Sequence, residues 1–183
     1  MRTHYHALYL APHLDDAALS CGGQIYEKTA AGQQVLIVTI MAGDPPAETP
    51  HSDFIRELHG RWQLPAGAEA IRRQEDEVAC RLLGADFCHW SAPDCIYRTH
   101  PVTGELLYPA WADVIGGVHE AEADFIKELA AQMATLPTAD MVVAPWAQAT
   151  MPIISLPGRR RRSVLGRLCG IMRTSPMCER RGH

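Results

Sequence analysis

Three features of the chain predict an α/β layer fold built on a mostly parallel sheet. Val35-Leu36-Ile37-Val38-Thr39-Ile40 is an unbroken β-branched run, as in a parallel strand buried on both faces. Short apolar strands alternate with longer helical segments. Polar residues with catalytic potential gather just after the strands, where ligands collect in such folds.

Taken in order, Tyr5 to Leu10 reads as the first strand. Ala17 to Ala31 reads as a helix, with Leu19, Gly22, Gly23 and Tyr26 set to pack closely on the sheet and Gly32 ending it. The β-branched second strand stops at the loop signal Gly43-Asp44-Pro45-Pro46. Ala47 to Ala66 is a long polar connection with a helical patch from Phe54 to Trp62, which reads as a functional flap. Ala68 to Leu83 has helical periodicity, with Ile71, Val78, Leu82 and Leu83 on the expected buried face and Gly84 as its stop. Asp86 to Trp90 forms the third strand, Val118 to Leu136 an amphipathic helix, and Met141 to Ala144 a fourth strand ended by Pro145. Trp90 and Trp111 read as core residues.

Length and composition suit one globular domain: 183 residues, 47% hydrophobic and 21% charged. The start, Met1-Arg2-Thr3-His4-Tyr5-His6, lacks the apolar stretch of a signal peptide, and no run is long enough to span a membrane. The six cysteines lack CxxC spacing and read as reduced thiols, so a cytoplasmic setting is expected.

The chemistry concentrates in Ala11-Pro12-His13-Leu14-Asp15-Asp16. An imidazole and two adjacent carboxylates at the junction of a strand and a helix make a poor core and a good metal site. His13 and Asp16 are ligand types that Zn²⁺ accepts together, and Asp15 is placed to take a proton from a water the metal activates. A helix N-cap is the plainer reading, but one Asp would suffice for it. The other histidines, His4, His6, His51, His59, His89, His100 and His119, are scattered without ligand spacing. His59 and Arg61 in the flap are candidates to meet a substrate, and Asp44 either faces the metal site or, the reading preferred, caps the Gly43-Pro45 turn.

These residues resemble the LmbE/PIG-L zinc-dependent de-N-acetylases. Ala11 to Ala17 followed by Ser20-Cys21-Gly22-Gly23 is similar to that family's opening motif. The likeness continues through Gly43-Asp44-Pro45, Arg72-Arg73-Gln74-Glu75 with Ala79 and Leu83-Gly84, Pro93-Asp94-Cys95-Ile96-Tyr97-Arg98, and Val142-Val143-Ala144-Pro145. The resemblance implies a Rossmann-like three-layer fold and hydrolysis of an N-acetyl group on an amino sugar or glycoconjugate. It further implies that His13 and Asp16 ligate zinc, that Asp15 is the general base, and that Arg72 contacts substrate; otherwise Arg72 is a surface helix ion pair.

The chain departs from the family after the fourth strand. A catalytic zinc takes three protein ligands, and the resemblance places the third in a G-x-H-x-D-H-like segment. Here that place reads Trp146-Ala147-Gln148-Ala149-Thr150-Met151-Pro152-Ile153-Ile154, and no histidine follows until His183. One choice of codons for Gln148 to Pro157, read from the last base of the Ala149 codon, encodes N-H-A-D-H-Q-L-A with a glycine before it. A frameshift near Trp146 to Gln148 is therefore expected, leaving 1–148 as an incomplete deacetylase domain with its C-terminal part missing and 149–183 as an out-of-frame, poorly ordered basic tail. Composition agrees: residues 1–148 hold nine Lys and Arg against twenty Asp and Glu, while 149–183 hold eight Arg and one Glu.

The expected function is thus a zinc-dependent N-deacetylase acting on a small N-acetylated sugar or glycoconjugate, impaired here by its missing third ligand. The alternative is a non-catalytic small-molecule-binding module. A nucleic-acid role for Arg159 to Arg162 is not expected, because short basic runs are usually just solvated. A nucleotide-binding Rossmann protein is disfavoured because no G-x-G-x-x-G follows the first strand.

Overall fold

The first strand runs on past its apolar segment. In this computed structural model, which describes residues 2–62 and 68–145, β1 spans His4–His13 and carries Ala11-Pro12-His13 within the sheet. The extension follows from pairing on both sides of β1. It runs parallel to β2 (Val35–Met41) from Ala7↔Val35 to His13↔Met41, and parallel to β4 (Thr138–Val143) from His4↔Thr138 to Tyr9↔Val143. Pro12 has no N–H to give and is left out of the ladder between Ala11↔Thr39 and His13↔Met41. β3 (Asp86–His89) pairs parallel with β2, giving the order β3-β2-β1-β4. Because the chain adds β2 and β3 on one side of β1 and β4 on the other, the sheet has a switch point at β1 and β4. Beyond the carboxyl ends of such strands a crevice opens.

Helices cover both faces, as the predicted layer fold requires. α1 (Asp16–Ala30) and α3 (Ala68–Leu82) enclose a cluster of Ala7, Tyr9, Ala11, Ala17, Ile25, Val35, Ile37 and Cys80. On the other face Met133 of α5 (Ala123–Ala134) joins Leu8, Leu36, Val38 and Trp90. α2 (Asp53–Trp62) supplies Phe54, Ile55 and Leu58 to a third cluster with Ile96 and Tyr97, so this helix packs against the segment that follows β3. Gly32 and Gly84, the predicted helix stops, both have positive φ.

Several boundaries and faces differ from the sequence reading. β4 begins at Thr138 rather than Met141, because His4 and Tyr5 offer partners to Thr138 and Ala139. The predicted helix from Val118 opens as a short 3-10 turn at Glu120–Glu122, and α5 starts only at Ala123. α4 (Trp111–Gly116) was not foreseen, and Trp111 is exposed, edge-on to Phe54, rather than core. Leu19 and Tyr26 of α1 and Ile71, Val78 and Leu82 of α3 face outward. The inward stripes are instead Ala17 and Ile25 on α1, and Ala68, Asp76 and Cys80 on α3. Small side chains there let the helices lie close to the sheet, which apolar periodicity alone does not reveal. Among the described residues no helix is long and apolar enough to cross a membrane. The tail from Ala149, and the expectations placed on it, lie outside the described residues.

The face assigned to α1 is testable by a pair of truncations. Ile25 is fully buried and Leu19 is 84% exposed. Ile25→Ala should cost about 2–5 kcal/mol of unfolding free energy, and Leu19→Ala less than about 0.5 kcal/mol. Urea unfolding reads both, and comparable losses would mean that α1 presents its other side to the sheet.

Candidate functional site

His13 is the last residue of β1 and Asp16 the first of α1, so a two-residue turn brings strand end and helix start together. Asp16 does not cap the helix. Its Oδ2 accepts the His13 backbone N–H at 3.0 Å and lies 3.3 Å from His13 Nδ1. Asp15 occupies the N-cap position, yet its side chain makes no capping hydrogen bond. Its backbone is left-handed, φ 70° and ψ −17°, and it is the only non-glycine residue with positive φ among those described. The N-cap reading of these two acids therefore does not hold. Asp15 Oδ2 instead lies 3.9 Å from the Arg72 guanidinium.

Arg72 thus sits at the motif rather than in a surface ion pair along its own helix. Its neighbour Arg73 turns to the end of β2, donating to the Ala42 carbonyl at 2.9 Å and to both Asp44 carboxylate oxygens at 2.9 and 3.1 Å. Asp44 is therefore the partner of Arg73, not principally a turn cap. Gly43 is required here by a close approach: its N–H bonds the Ala92 carbonyl at 3.0 Å, and a Cβ would lie 2.1 Å from the Ser91 carbonyl oxygen. That contact draws the segment after β3 across the strand ends. It brings Asp94 to the far side of the imidazole, with Oδ2 3.4 Å from His13 Nε2.

Three contributors escaped the sequence reading. Asp94 stands out in the sequence only as part of the run that resembles the family, and His89 has no ligand spacing there. Beside Glu75 in the sequence stands Asp76. It is 2% exposed, and its carboxylate accepts from the Asp15 N–H at 2.9 Å and from His89 Nε2 at 2.7 Å. The signal that could have found it is an acid on the inward face of a helix, i to i+4 with buried Cys80. At the edge of the site His59 bonds the Tyr97 hydroxyl at 2.7 Å, while Arg61 pairs with Glu57 of its own helix.

The electrostatics follow from this crowding of acids. Burial pulls the His13 imidazole down, but its hydrogen bond to Asp16 and the charge of Asp94 outweigh that, and its pKa lies above the ordinary value. Burial, then the charge of Asp76, pushes the Asp15 carboxyl up against the opposing pull of Arg72. Burial also raises the thiol of Cys80 to about 12, so it is not a nucleophile. Among the described residues no group of three His, Cys, Asp or Glu is disposed to hold a metal ion. His13 and Asp16 stand as a pair.

Comparison with known proteins places this geometry. Residues 8–152 match the PIG-L family, described as GlcNAc-PI de-N-acetylase. The chain belongs to the PIG-L family. It is 34% identical over 142 residues to the 2′-N-acetylparomamine deacetylase of Streptomyces fradiae, covering 72% of this chain and 45% of that protein. The 2′-N-acetylparomamine deacetylase of Niallia circulans is 28% identical over 120 residues, covering 60% of this chain and 43% of that one. A crystal structure of a deacetylase–teicoplanin complex aligns with TM-score 0.64 at 27% identity, covering 78% of this chain and 57% of that chain. The zinc-inhibited form of teicoplanin deacetylase Orf2 aligns with TM-score 0.63 at 28% identity, covering 78% and 55%. This PIG-L chain spans less than half the length of the curated relatives it matches. Its parallel sheet between helix layers is the α/β fold of those structural neighbours.

The raised Asp15 carboxyl has a sign that can be checked. Folded, Asp15 binds its proton more tightly than when unfolded, so its charge weakens the fold at neutral pH and costs nothing below the unfolded value of 3.8. Asp15→Asn should raise the Tm of the metal-free protein at neutral pH. The gain should shrink as the pH falls toward 3.8, leaving only the pH-independent preference of Asn for the left-handed backbone. A gain that grows on acidification would contradict the assignment.

Proposed function

We propose that this chain carries the metal and base half of a zinc-dependent N-deacetylase that hydrolyses the acetamide of a small N-acetylated amino sugar or glycoconjugate. One observation carries the reading. In a PIG-L chain, His13 Nδ1 and Asp16 Oδ2 lie 3.3 Å apart at the crevice end of β1, with an uncapped acid between them in sequence. Nitrogen and oxygen donors sharing one tetrahedral Zn²⁺ stand about 3.4 Å apart, given bonds of about 2.0–2.2 Å. The separation of the two donors is therefore that of two ligands of one ion, with the Nδ1 proton given up on binding. The names of the relatives, deacetylases of 2′-N-acetylparomamine and of teicoplanin-type molecules, support the substrate class.

His13 and Asp16 would hold the zinc, which supplies a Lewis acid that polarises the acetyl carbonyl and makes water nucleophilic at neutral pH. Asp15 takes the proton of the attacking water and returns it to the departing amine, a role that its raised carboxyl pKa suits. Arg72, 3.9 Å from Asp15, is placed to donate to oxygens of the substrate beside the base. Asp94 receives the other ring nitrogen of His13, the carboxylate partner that metal-binding imidazoles commonly have.

The same reading makes this chain impaired. Two ligands hold zinc less well than the three of a catalytic site, and the run from Gln148 to Ile154 offers no histidine. A gene whose other frame encodes G-N-H-A-D-H at this place would restore the missing donor.

The test compares the chain as given with its frame-restored counterpart. Zinc titration against a chelator should show tighter binding in the restored chain, and Asp16→Ala should abolish tight binding there. Acetate release from an N-acetylated aminoglycoside should appear in the restored chain and fall by about 10²–10⁴-fold in Asp15→Asn with its zinc retained. Protein that stays metal-free while binding acetylated sugars uncleaved would replace this reading with the non-catalytic module. A gene sequence incompatible with the restored frame would remove the frameshift.

A further inference from the structure

A non-glycine residue in the left-handed region is strained and persists only where its surroundings enforce it. Asp15 is so held, at φ 70°, and its own side chain does nothing to compensate, since it makes no capping bond. The compensation comes from beneath. Asp76 Oδ1 accepts the Asp15 backbone N–H at 2.9 Å. Its other oxygen, Oδ2, accepts from His89 Nε2 at 2.7 Å and the Thr39 hydroxyl at 3.4 Å, with the Cys80 thiol at 4.0 Å.

One buried carboxylate thus joins α3, β2, β3 and the turn between β1 and α1. Burying a carboxylate is costly, and it is sustained here because both oxygens are hydrogen-bonded. A core that needed only filling at this position would hold an apolar residue, as the surrounding Ala68 and Cys80 positions do.

We propose that Asp76, braced by His89 and Thr39, is a positioning residue that fixes the left-handed backbone of Asp15. This deepens the deacetylase reading and rests on it only for the role of Asp15. In the left-handed conformation the Asp15 carboxylate reaches Arg72 instead of the helix amides, and His13, two residues before it, and Asp16, directly after it, stand 3.3 Å apart at Nδ1 and Oδ2. Released to an ordinary backbone, Asp15 turns toward N-cap geometry and the spacing of its neighbours changes with it. Glu75, the acid next to Asp76 that carries the family likeness, is exposed, and its charge disfavours ionisation of Asp15.

The experiment is ¹⁵N NMR on the full chain, metal-free, as wild type, Asp76→Ala and Asp76→Asn. In the wild type the Asp15 amide proton should resonate downfield and exchange slowly. Asp76→Ala should speed its exchange by about tenfold, the equivalent of one hydrogen bond. Asp76→Asn keeps the acceptor and should keep the Asp15 signature, while the new amide group turns His89 Nε2 from donor to acceptor and switches the ring tautomer. Loss of the Asp15 signature in Asp76→Asn, or its persistence in folded Asp76→Ala, overturns the proposal. Asp76→Asn decides the matter alone if Asp76→Ala does not fold. Zinc titration of the same variants adds a separate arm. Affinity should fall by about tenfold or more in Asp76→Ala and recover in Asp76→Asn. A wild type without zinc affinity would sink the metal reading while the NMR result still stands or falls by itself.

Discussion

Parallel pairing on both sides of β1 is the constraint from which the rest follows. With β2 on one side and β4 on the other, every strand of the sheet points the same way and every carboxyl end meets one edge. The pairing holds β1 straight through Ala11 and His13, past the point where its apolar sequence ends. The imidazole is therefore carried by sheet backbone rather than by a loop, which is what a site of fixed geometry needs. The strand order reverses at β1, the position beyond which sheets of this kind bind their ligands. Residues distant in sequence arrive there because their elements end there: Asp44 after β2, His89 at the end of β3, Asp94 just beyond it.

Crowding of acids is the second physical fact. Asp16 and Asp94 flank the His13 imidazole, while Asp15 pairs with Arg72 and donates its backbone N–H to buried Asp76. Burial first, and then the charge of Asp76, disfavours ionisation of the Asp15 carboxyl and holds it above its ordinary value. A fold arranged only for stability would not collect these acids. Under the proposed function, a divalent cation at the His13–Asp16 pair would offset the repulsion, and the raised carboxyl of Asp15 would make it the stronger base toward the attacking water.

Much of this was legible locally. The β-branched second strand, the glycine stops at Gly32 and Gly84, and the His13, Asp15, Asp16 triplet could all be read from short windows because each depends on neighbouring residues alone. What could not be read depends on which way a helix faces. α3 carries an apolar stripe at Ile71, Val78 and Leu82, and periodicity takes such a stripe for the core side; the sheet instead receives Ala68, Asp76 and Cys80. Once that face was misassigned, Asp76 looked like one more surface acid beside Glu75. The approach of Asp94 to His13 depends on Gly43 meeting the backbone of Ser91, a contact between distant loops that no local pattern announces. The left-handed backbone of Asp15 was hidden for a related reason: Asp is an ordinary N-cap residue, and only the carboxylate below it reveals another use.

The central claim is that His13 and Asp16 form one metal-binding pair. The most direct measurement is an anomalous difference map at the zinc edge from crystals of the chain grown with Zn²⁺. The account predicts a peak about 2.0–2.2 Å from both His13 Nδ1 and Asp16 Oδ2, with Asp94 still on the opposite ring nitrogen. A zinc peak on His13 Nε2 with Asp94, or no peak at the end of β1, would contradict it.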